Sequence, residues 1–468
     1  MGELVLYNTR TRRKERFAPL EAGCARVYTC GPTVYAPQHL GNLRSQLFAD
    51  LLVRALLAED YRVTHVVNIT DVGHLTDDAD AGEDKLERAA ARSGRRASEI
   101  AEEHTRQWQR DRARLGCREP DVLCRATEHV PEQIEMIRRL EARGYTYQIE
   151  DGIYFDTSKF PRYAEFGRLQ LEEQEAGVRI EDVPGKRQPA DFALWKFPPP
   201  GVRRQQEWDS PWGRGFPGWH IECSAMSTKY LGERFDLHTG GMEHIKIHHT
   251  NEIAQSECAL EVHPWVNYWL HHEFVNFGGR KMAKSVGNAE VLDDVVARGH
   301  PALSYRYFFL QAHYRQPQSL SEEALAGAAT GYDRLLGAAL AVREAPGAVD
   351  PARTGPARER FRAAIRDDLN APRALAVAWE VARSQELAPA ERWALLREFD
   401  EILRLDLARA VPRAQLAESD PRIDDLVRRR EEARQRRDWR EADRIRDELV
   451  AEGIALEDTP QGPRWRRG

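Results

Sequence analysis

Apolar residues gather in short dense runs near the N-terminus and thin to helical spacing toward the C-terminus. Residues 25–29 (ARVYT) and 61–69 (YRVTHVVNI) are runs of strand length, and between them Leu43, Leu47, Phe48, Leu51, Leu52 and Leu56 recur on one helical face. The pattern predicts a strand, loop, helix, strand unit. Its loop, CGPTVYAPQHLGN from Cys30 to Asn42, is punctuated by Gly31, Pro32, Pro37 and Gly41. A helix starting there turns its free N–H groups and positive dipole end on the loop, so anionic phosphate is the natural occupant. His39 and Asn42 sit beside that end as neutral donors, although His-x-Gly-Asn is also ordinary helix-start chemistry.

Farther along, the pattern predicts a long polar helix over 85–115, a helix over 132–143, and a hairpin in GYTYQIEDGIYFDTS turning at 150–152. Polar, Pro-bearing sequence then runs to about Gly215. Apolar strand and helix signals resume after it in the earlier style, so 126–214 reads as an insertion. A helix from about Glu222, a short strand at Phe235–Leu237, a glycine turn, and a helix from about Ile247 follow. His238, Thr239, Gly240 and Gly241 therefore fall at the C-terminal end of a strand, where open α/β sheets bind ligands. A strand over 273–277 leads into GGRKMAKSVGN. Beyond about Pro317, Ala, Leu, Arg and Glu recur at helical spacing, with Pro- and Gly-rich breaks expected at 345–356 and 411–421. Two further helices, an apolar GIALE and the tail DTPQGPRWRRG end the chain.

At 468 residues the chain is long enough for about three domains. No apolar run is long enough to span a bilayer, and the first residues lack signal-peptide order, so a cytoplasmic protein with no membrane partner is expected. Six scattered cysteines suit free thiols or metal ligands better than a disulfide framework. The net charge of −6 neither announces nor excludes a nucleic-acid partner. Lysine is more informative: there are nine against sixty arginines, and none after Lys284. Lys281 and Lys284 are the one close pair. In the tail, Trp465 lies among Arg464, Arg466 and Arg467, a composition able to stack on a base and hold phosphates.

His248 and Glu252 are four apart and share a helical face, with His244 one turn earlier. Cys30 and Cys223 are the thiols best placed to join them. Two Cys, one His and one Glu would suit tetrahedral zinc, although spacing alone does not choose His248 over His244 or His249.

Taken together, these stretches resemble the cysteinyl-tRNA synthetase family of class I aminoacyl-tRNA synthetases along essentially the whole chain. YTCGPTVYAPQHLGN resembles the first signature with its HIGH element, and KMAKS resembles KMSKS. PGWHIECSAM and HHTNEIAQSE resemble the zinc-binding segments, and DWREADRIRDELVAEGIALEDTPQGPRWRRG the C-terminal end. The fold so implied is α/β: a Rossmann-type catalytic domain (1–125 and 215–290) split by a connective insertion (126–214). A stem-contact region (291–330), a helical bundle (331–411) and a small C-terminal α/β anticodon-recognition module (421–468) would follow.

By this resemblance Cys30, Cys223, His248 and Glu252 hold one Zn2+ per chain, and Thr70, Trp219 and His238 line a cysteine pocket. Gly41, Gly240 and Gly241 approach ATP, which Mg2+ accompanies. His39, Asn42, Lys281 and Lys284 handle the triphosphate, and Trp465 touches tRNA. The implied partners are tRNA(Cys), ATP and L-cysteine, acting on a monomer. Three departures stand out: Asn42 replaces the second His of HIGH, Ala283 replaces the middle Ser of KMSKS, and HTGGMEH is less glycine-rich than its counterpart. Related chemistries weighed beside this one are transfer of activated cysteine to an amino sugar, and small-substrate nucleotidyl transfer. The C-terminal modules argue against the first, and the KMAKS loop and zinc set against the second.

Overall fold

A computed structural model describes residues 3–73, 84–169, 183–199, 201, 203–277, 280–281, 290–408, 421–436, 438–452, 454–459 and 462–467. Five parallel strands form its central sheet, in the order Val266–His272, Phe235–Gly241, Cys24–Thr29, Arg62–Ile69, Val122–Arg125. From the central strand Cys24–Thr29 the chain steps outward through Arg62–Ile69 to Val122–Arg125. It then returns to the other side of that strand. The crevice where the direction reverses, between Cys24–Thr29 and Phe235–Gly241, is where such sheets bind ligands at their carboxyl ends. This is the Rossmann-type α/β architecture expected of the chain.

Alternation along the strands fills two apolar layers. Ala25, Val27, Val63 and Val67 face the helix Leu40–Ala58 and a large core that continues into the helical bundle. Tyr28, Val66, Phe235 and Trp269 face the helices Trp219–Leu231 and His248–Leu260. Between the third and fourth sheet strands lie the helix Val130–Ala142 and an antiparallel sheet of Thr146–Ile149, Gly152–Phe155, Phe192–Lys196 and Phe216–Pro217. After the central sheet, Val275–Phe277 pairs with both Arg280–Lys281 and Gln318–Leu320. The helices Glu322–Leu340, Pro351–Arg366, Ala371–Arg383 and Pro389–Leu403 form the bundle. The chain ends in the helices Pro421–Gln435 and Trp439–Ala451 and the hairpin Ile454–Thr459/Gly462–Arg467. Among the described residues, no helix is long and apolar enough to cross a membrane.

Four local expectations need correction. The polar helix over 85–115 is two helices, Lys85–Ser93 and Ala97–Arg114, because Gly94 caps the first in the left-handed region at φ 65°. The fourth sheet strand does not stop at Leu237 but carries Gly240 and Gly241 to its end, so no glycine turn interrupts it. The helix before it starts at Trp219, which places Cys223 inside the helix rather than at an element boundary. The break expected over 345–356 ends at Asp350, whose side chain caps a helix that accommodates Pro356. The break expected at 411–421 falls almost wholly outside the described residues.

Candidate active site and metal centre

The switch point gathers one thiol from the end of a strand and the remaining donors from two helices. Cys30 directly follows the central strand, its N–H bonded to the Thr239 carbonyl at 3.2 Å across the crevice. Gly31 keeps that turn tight, since a Cβ there would run into the Asn68 carbonyl oxygen. Cys223 projects from Trp219–Leu231, and His248 and Glu252 from successive turns of His248–Leu260. One donor atom from each of Cys30, Cys223, His248 and Glu252 lies within 4.8 Å of the others, and all four residues are buried.

Their chemistry fits a soft divalent cation. Burial opposes charge on His248, yet Glu252 and Cys223 reverse that and carry the imidazole up to about 10. Burial likewise works against an ionised Glu252, but His238 and His248 hold it down to about 2. A hydrogen bond from Cys30 draws the Cys223 thiol down to about 6. The cluster thus draws positive charge into a place that burial would keep neutral. Glu252 Oε1 lies 2.9 Å from His248 Nε2 and still makes no well-directed hydrogen bond, as expected of atoms converging on a common point rather than on each other.

A shell of rings orients these donors. Trp219 stacks on His248, and His220 Nδ1 lies 2.9 Å from His248 Nδ1. His238 is buried, 2.9 Å from Glu252 Oε2 through Nε2, and stacked on Trp269 with centroids 4.5 Å apart. His249 Nε2 lies 3.4 Å from Cys30 Sγ, and its Nδ1 meets His271 Nε2 at 2.7 Å; His271 in turn reaches Thr9 Oγ1. Cys30, His238, His249 and Glu252 form a second, overlapping set of converging donors. Sequence reasoning left His249 open and missed His220 and His271. The signal available for His249 and His271 was the paired histidines, His248–His249 opening the helix His248–Leu260 and His271–His272 ending the strand Val266–His272.

Thr70 is buried just past the second strand. Its hydroxyl accepts from Asn68 Nδ2 at 2.8 Å, and its backbone bonds Pro32 and Val34. Gly240 lies against the rings of His249 and His244, which a Cβ would strike. Gly41 is in the first turn of Leu40–Ala58, and Gly241 ends the fourth strand. His39 caps that helix, its Nδ1 accepting from the Asn42 N–H at 3.2 Å, while Asn42 Oδ1 is buried without a hydrogen-bond partner among the described residues. The Leu40 N–H bonds the Glu290 carbonyl at 2.8 Å, tying the helix start to a residue six positions beyond Lys284 in sequence. Lys284 and the side chains of Lys281 and Trp465 lie outside the described residues.

Comparisons with known proteins bear on the family and the fold. Residues 16–330 match the family model for the class I (C) tRNA synthetase catalytic domain, and residues 416–466 match the cysteinyl-tRNA ligase anticodon binding domain. The chain is 47% identical to cysteine–tRNA ligase 1 of Burkholderia lata, over 98% of this chain and 96% of that one. It is 42% identical to a cysteine–tRNA ligase of Thermus thermophilus, over 99% of each. In fold it resembles methionyl-tRNA synthetase of Mycobacterium tuberculosis bound by methionyl-adenylate, with a TM-score of 0.53, 18% identity and coverage of 82% and 90%. It also resembles a leucyl-tRNA synthetase of Agrobacterium radiobacter K84, with a TM-score of 0.58, 11% identity and coverage of 83% and 84%.

Proposed function

The chain belongs to the cysteinyl-tRNA synthetase family of class I tRNA ligases, and on that premise we propose that it joins L-cysteine to tRNA(Cys) through a cysteinyl-adenylate. The observation that carries the amino-acid choice is the convergence of Cys30, Cys223, His248 and Glu252 within 4.8 Å at the switch point. In this reading those four residues hold zinc, and a bound zinc offers a soft position that prefers the thiolate of cysteine to the hydroxyl of serine. Such discrimination exceeds what a pocket could reach by shape and makes a separate editing site unnecessary.

Thr70, Trp219 and His238 line the cysteine pocket, each held by the contacts described above. Gly41, Gly240 and Gly241 leave room for the backbone to approach ATP. His39, Asn42 and the N–H groups of the helix start bind the phosphates, which arrive with Mg2+. Lys281 and Lys284 neutralise charge building on pyrophosphate as the cysteine carboxylate attacks the α-phosphorus in line. The 2′ hydroxyl at the tRNA end then attacks the adenylate carbonyl, and AMP leaves.

The segments 1–125 and 215–290 form the catalytic domain, 126–214 its insertion, 291–330 a stem-contact region, 331–411 the bundle and 421–468 the anticodon module. Trp465 and Trp439, the latter 58% exposed, offer stacking faces to tRNA bases. Sequence reasoning passed over Trp439, although an aromatic opening an otherwise charged helix was the signal. The protein works in the cytoplasm as a monomer in this reading.

ATP–pyrophosphate exchange with cysteine or serine, before and after chelation, followed by charging of tRNA, tests the proposal. Exchange that needs cysteine, disappears on chelation and returns with zinc is the expected result. Exchange independent of the amino acid, or undiminished in a zinc-free protein, would overturn it.

A further inference from the structure

The two lysines assigned to pyrophosphate lie in sequence between the strand Val275–Phe277 and Glu290, and both flanks of that stretch are attached to one helix. On the far flank, the Leu40 N–H holds the Glu290 carbonyl and His39 pairs with Val291. The near flank is held by Arg44 and Ser45, about one turn farther along Leu40–Ala58. Ser45 Oγ lies 2.7 Å from His272 Nε2, at the end of the strand Val266–His272. Arg44 is fully buried and spreads its guanidinium over four oxygens. Its Nη1 donates to Gln318 Oε1 at 2.8 Å and to the Phe274 carbonyl at 3.4 Å. Its Nη2 donates to the carbonyls of Gln316 at 2.7 Å and Tyr314 at 3.3 Å.

Two of these oxygens also join the segments 273–274 and 314–318 to each other. The Phe274 carbonyl accepts from the Gln318 N–H at 3.1 Å, and the Tyr314 carbonyl from the Glu273 N–H at 2.9 Å. Immediately beyond, Val275–Phe277 and Gln318–Leu320 run parallel, and Asn276 and Phe277 pair with Lys281 and Arg280. All four acceptors of Arg44 are neutral, so no opposite charge offsets the hydration it loses. What the guanidinium supplies is direction, because its planar fork fixes several oxygens at once. Arg44 thus sets where the backbone of Lys281 stands relative to the helix whose first turn is assigned to the phosphates.

We propose that Arg44 and Ser45 are positioning residues for Lys281. They fix the separation between the helix start and the short ladder that carries this lysine, and through it the neutralisation of pyrophosphate as the adenylate forms. This rests on the activity proposed above. Its test is a double-mutant cycle on the full chain, crossing Arg44→Lys with Lys281→Ala and reading cysteine-dependent ATP–pyrophosphate exchange. Lysine keeps the positive charge but lacks the fork. A 1 Å misplacement can cost about 100-fold in rate, so Arg44→Lys alone should lower kcat about 10-fold. KM for cysteine and zinc content should stay at the parent level, since the amino-acid pocket is untouched. In the Lys281→Ala background the same change should cost at most about twofold, because the group it positions is gone.

Ser45→Ala, which removes one oxygen, repeats the cycle should Arg44→Lys fold poorly, with an expected loss of about 3-fold. Unchanged kcat in these variants, or equal losses with and without Lys281, would overturn the proposal. Early melting of both, with zinc loss and a raised KM for cysteine, would also overturn it and leave a purely structural brace. Parent exchange that ignores cysteine, or Lys281→Ala exchanging at the parent rate, fails the underlying reading instead and is seen before the cycle is closed.

Discussion

Trp219 lies nearly flat on His248, their ring centroids 4.2 Å apart and the planes 29° from parallel. The indole backs the imidazole and limits how its nitrogens can swing, while His220 meets the other ring nitrogen. An aromatic pair of this kind contributes about 0.5–1.5 kcal/mol beyond its buried area. Trp219→Ala should therefore release zinc to a chromogenic chelator about 2- to 10-fold faster, and Trp219→Phe should recover most of the difference. Release from the alanine variant at the parent rate would show that the stack does not hold His248.

Cys30 depends on a backbone approach rather than on a side chain. Gly31→Ala puts a methyl group into the Asn68 carbonyl, and backbone cannot yield as a side chain end can. A loss of about 1–3 kcal/mol of stability is expected, measured by urea unfolding, together with sub-stoichiometric zinc by elemental analysis. Full zinc content at reduced stability would mean that the turn and the metal site are independent.

Buried His65 gives the catalytic domain an acid-sensitive strand. Burial, with Arg112 adding, pulls its imidazole down to about 3, and its Nε2 lies 2.9 Å from Thr29 Oγ1, which itself accepts from Thr239. In the unfolded chain the same group titrates near 6.5. Between those values the unfolded state binds a proton that the native state refuses. Stability from this residue is complete above pH 6.5 and declines toward pH 3, by up to about 1.4 kcal/mol per pH unit. Unfolding free energies from pH 7.5 to 5 should fall accordingly. His65→Gln, which supplies a non-titrating acceptor, should flatten that slope while lowering stability at pH 7.5.

Trp439 is the most exposed aromatic among the described residues and begins the last helix. Stacking on a base is worth about 1–3 kcal/mol, so Trp439→Ala should raise KM for tRNA about 10-fold or more and leave pyrophosphate exchange unchanged. Removing the residues after Pro421 should have the same selectivity with a larger effect. Equal loss of activation and charging would make the module a structural support.

Much of this was legible in residue order, for reasons that differ by element. The strand, loop, helix, strand unit announced itself because strands buried on both faces leave dense apolar runs, while the helix between them repeats leucine at helical spacing. Thr146–Ile149 and Gly152–Phe155 announced themselves through a short hairpin turn. The strand Val122–Arg125 did not, since four half-buried residues ending in arginine carry no pattern. Neither did the N-terminal hairpin Val5–Asn8/Arg13–Arg16, which is rich in charge. Cys223 read as a boundary residue because helix starts without a side-chain cap, such as Gly218, leave little trace. The choice among His244, His248 and His249 needed the packing of two helices and a strand. The buried ion pair of Asp50 with Arg306 joins residues 256 positions apart and has no local signature.

The distribution of the four converging donors also sets an order of events during synthesis. Cys30 leaves the ribosome first, and Glu252 follows only after all four strands of the antiparallel sheet have been made. That sheet pairs neighbouring segments and can form early, whereas the fourth and fifth parallel strands must find partners laid down long before. The edge of Cys24–Thr29 that pairs with Phe235–Gly241 has its partner only after residue 241 is made. The antiparallel sheet occupies that interval, and the four candidate donors meet only once segments made before and after it have paired.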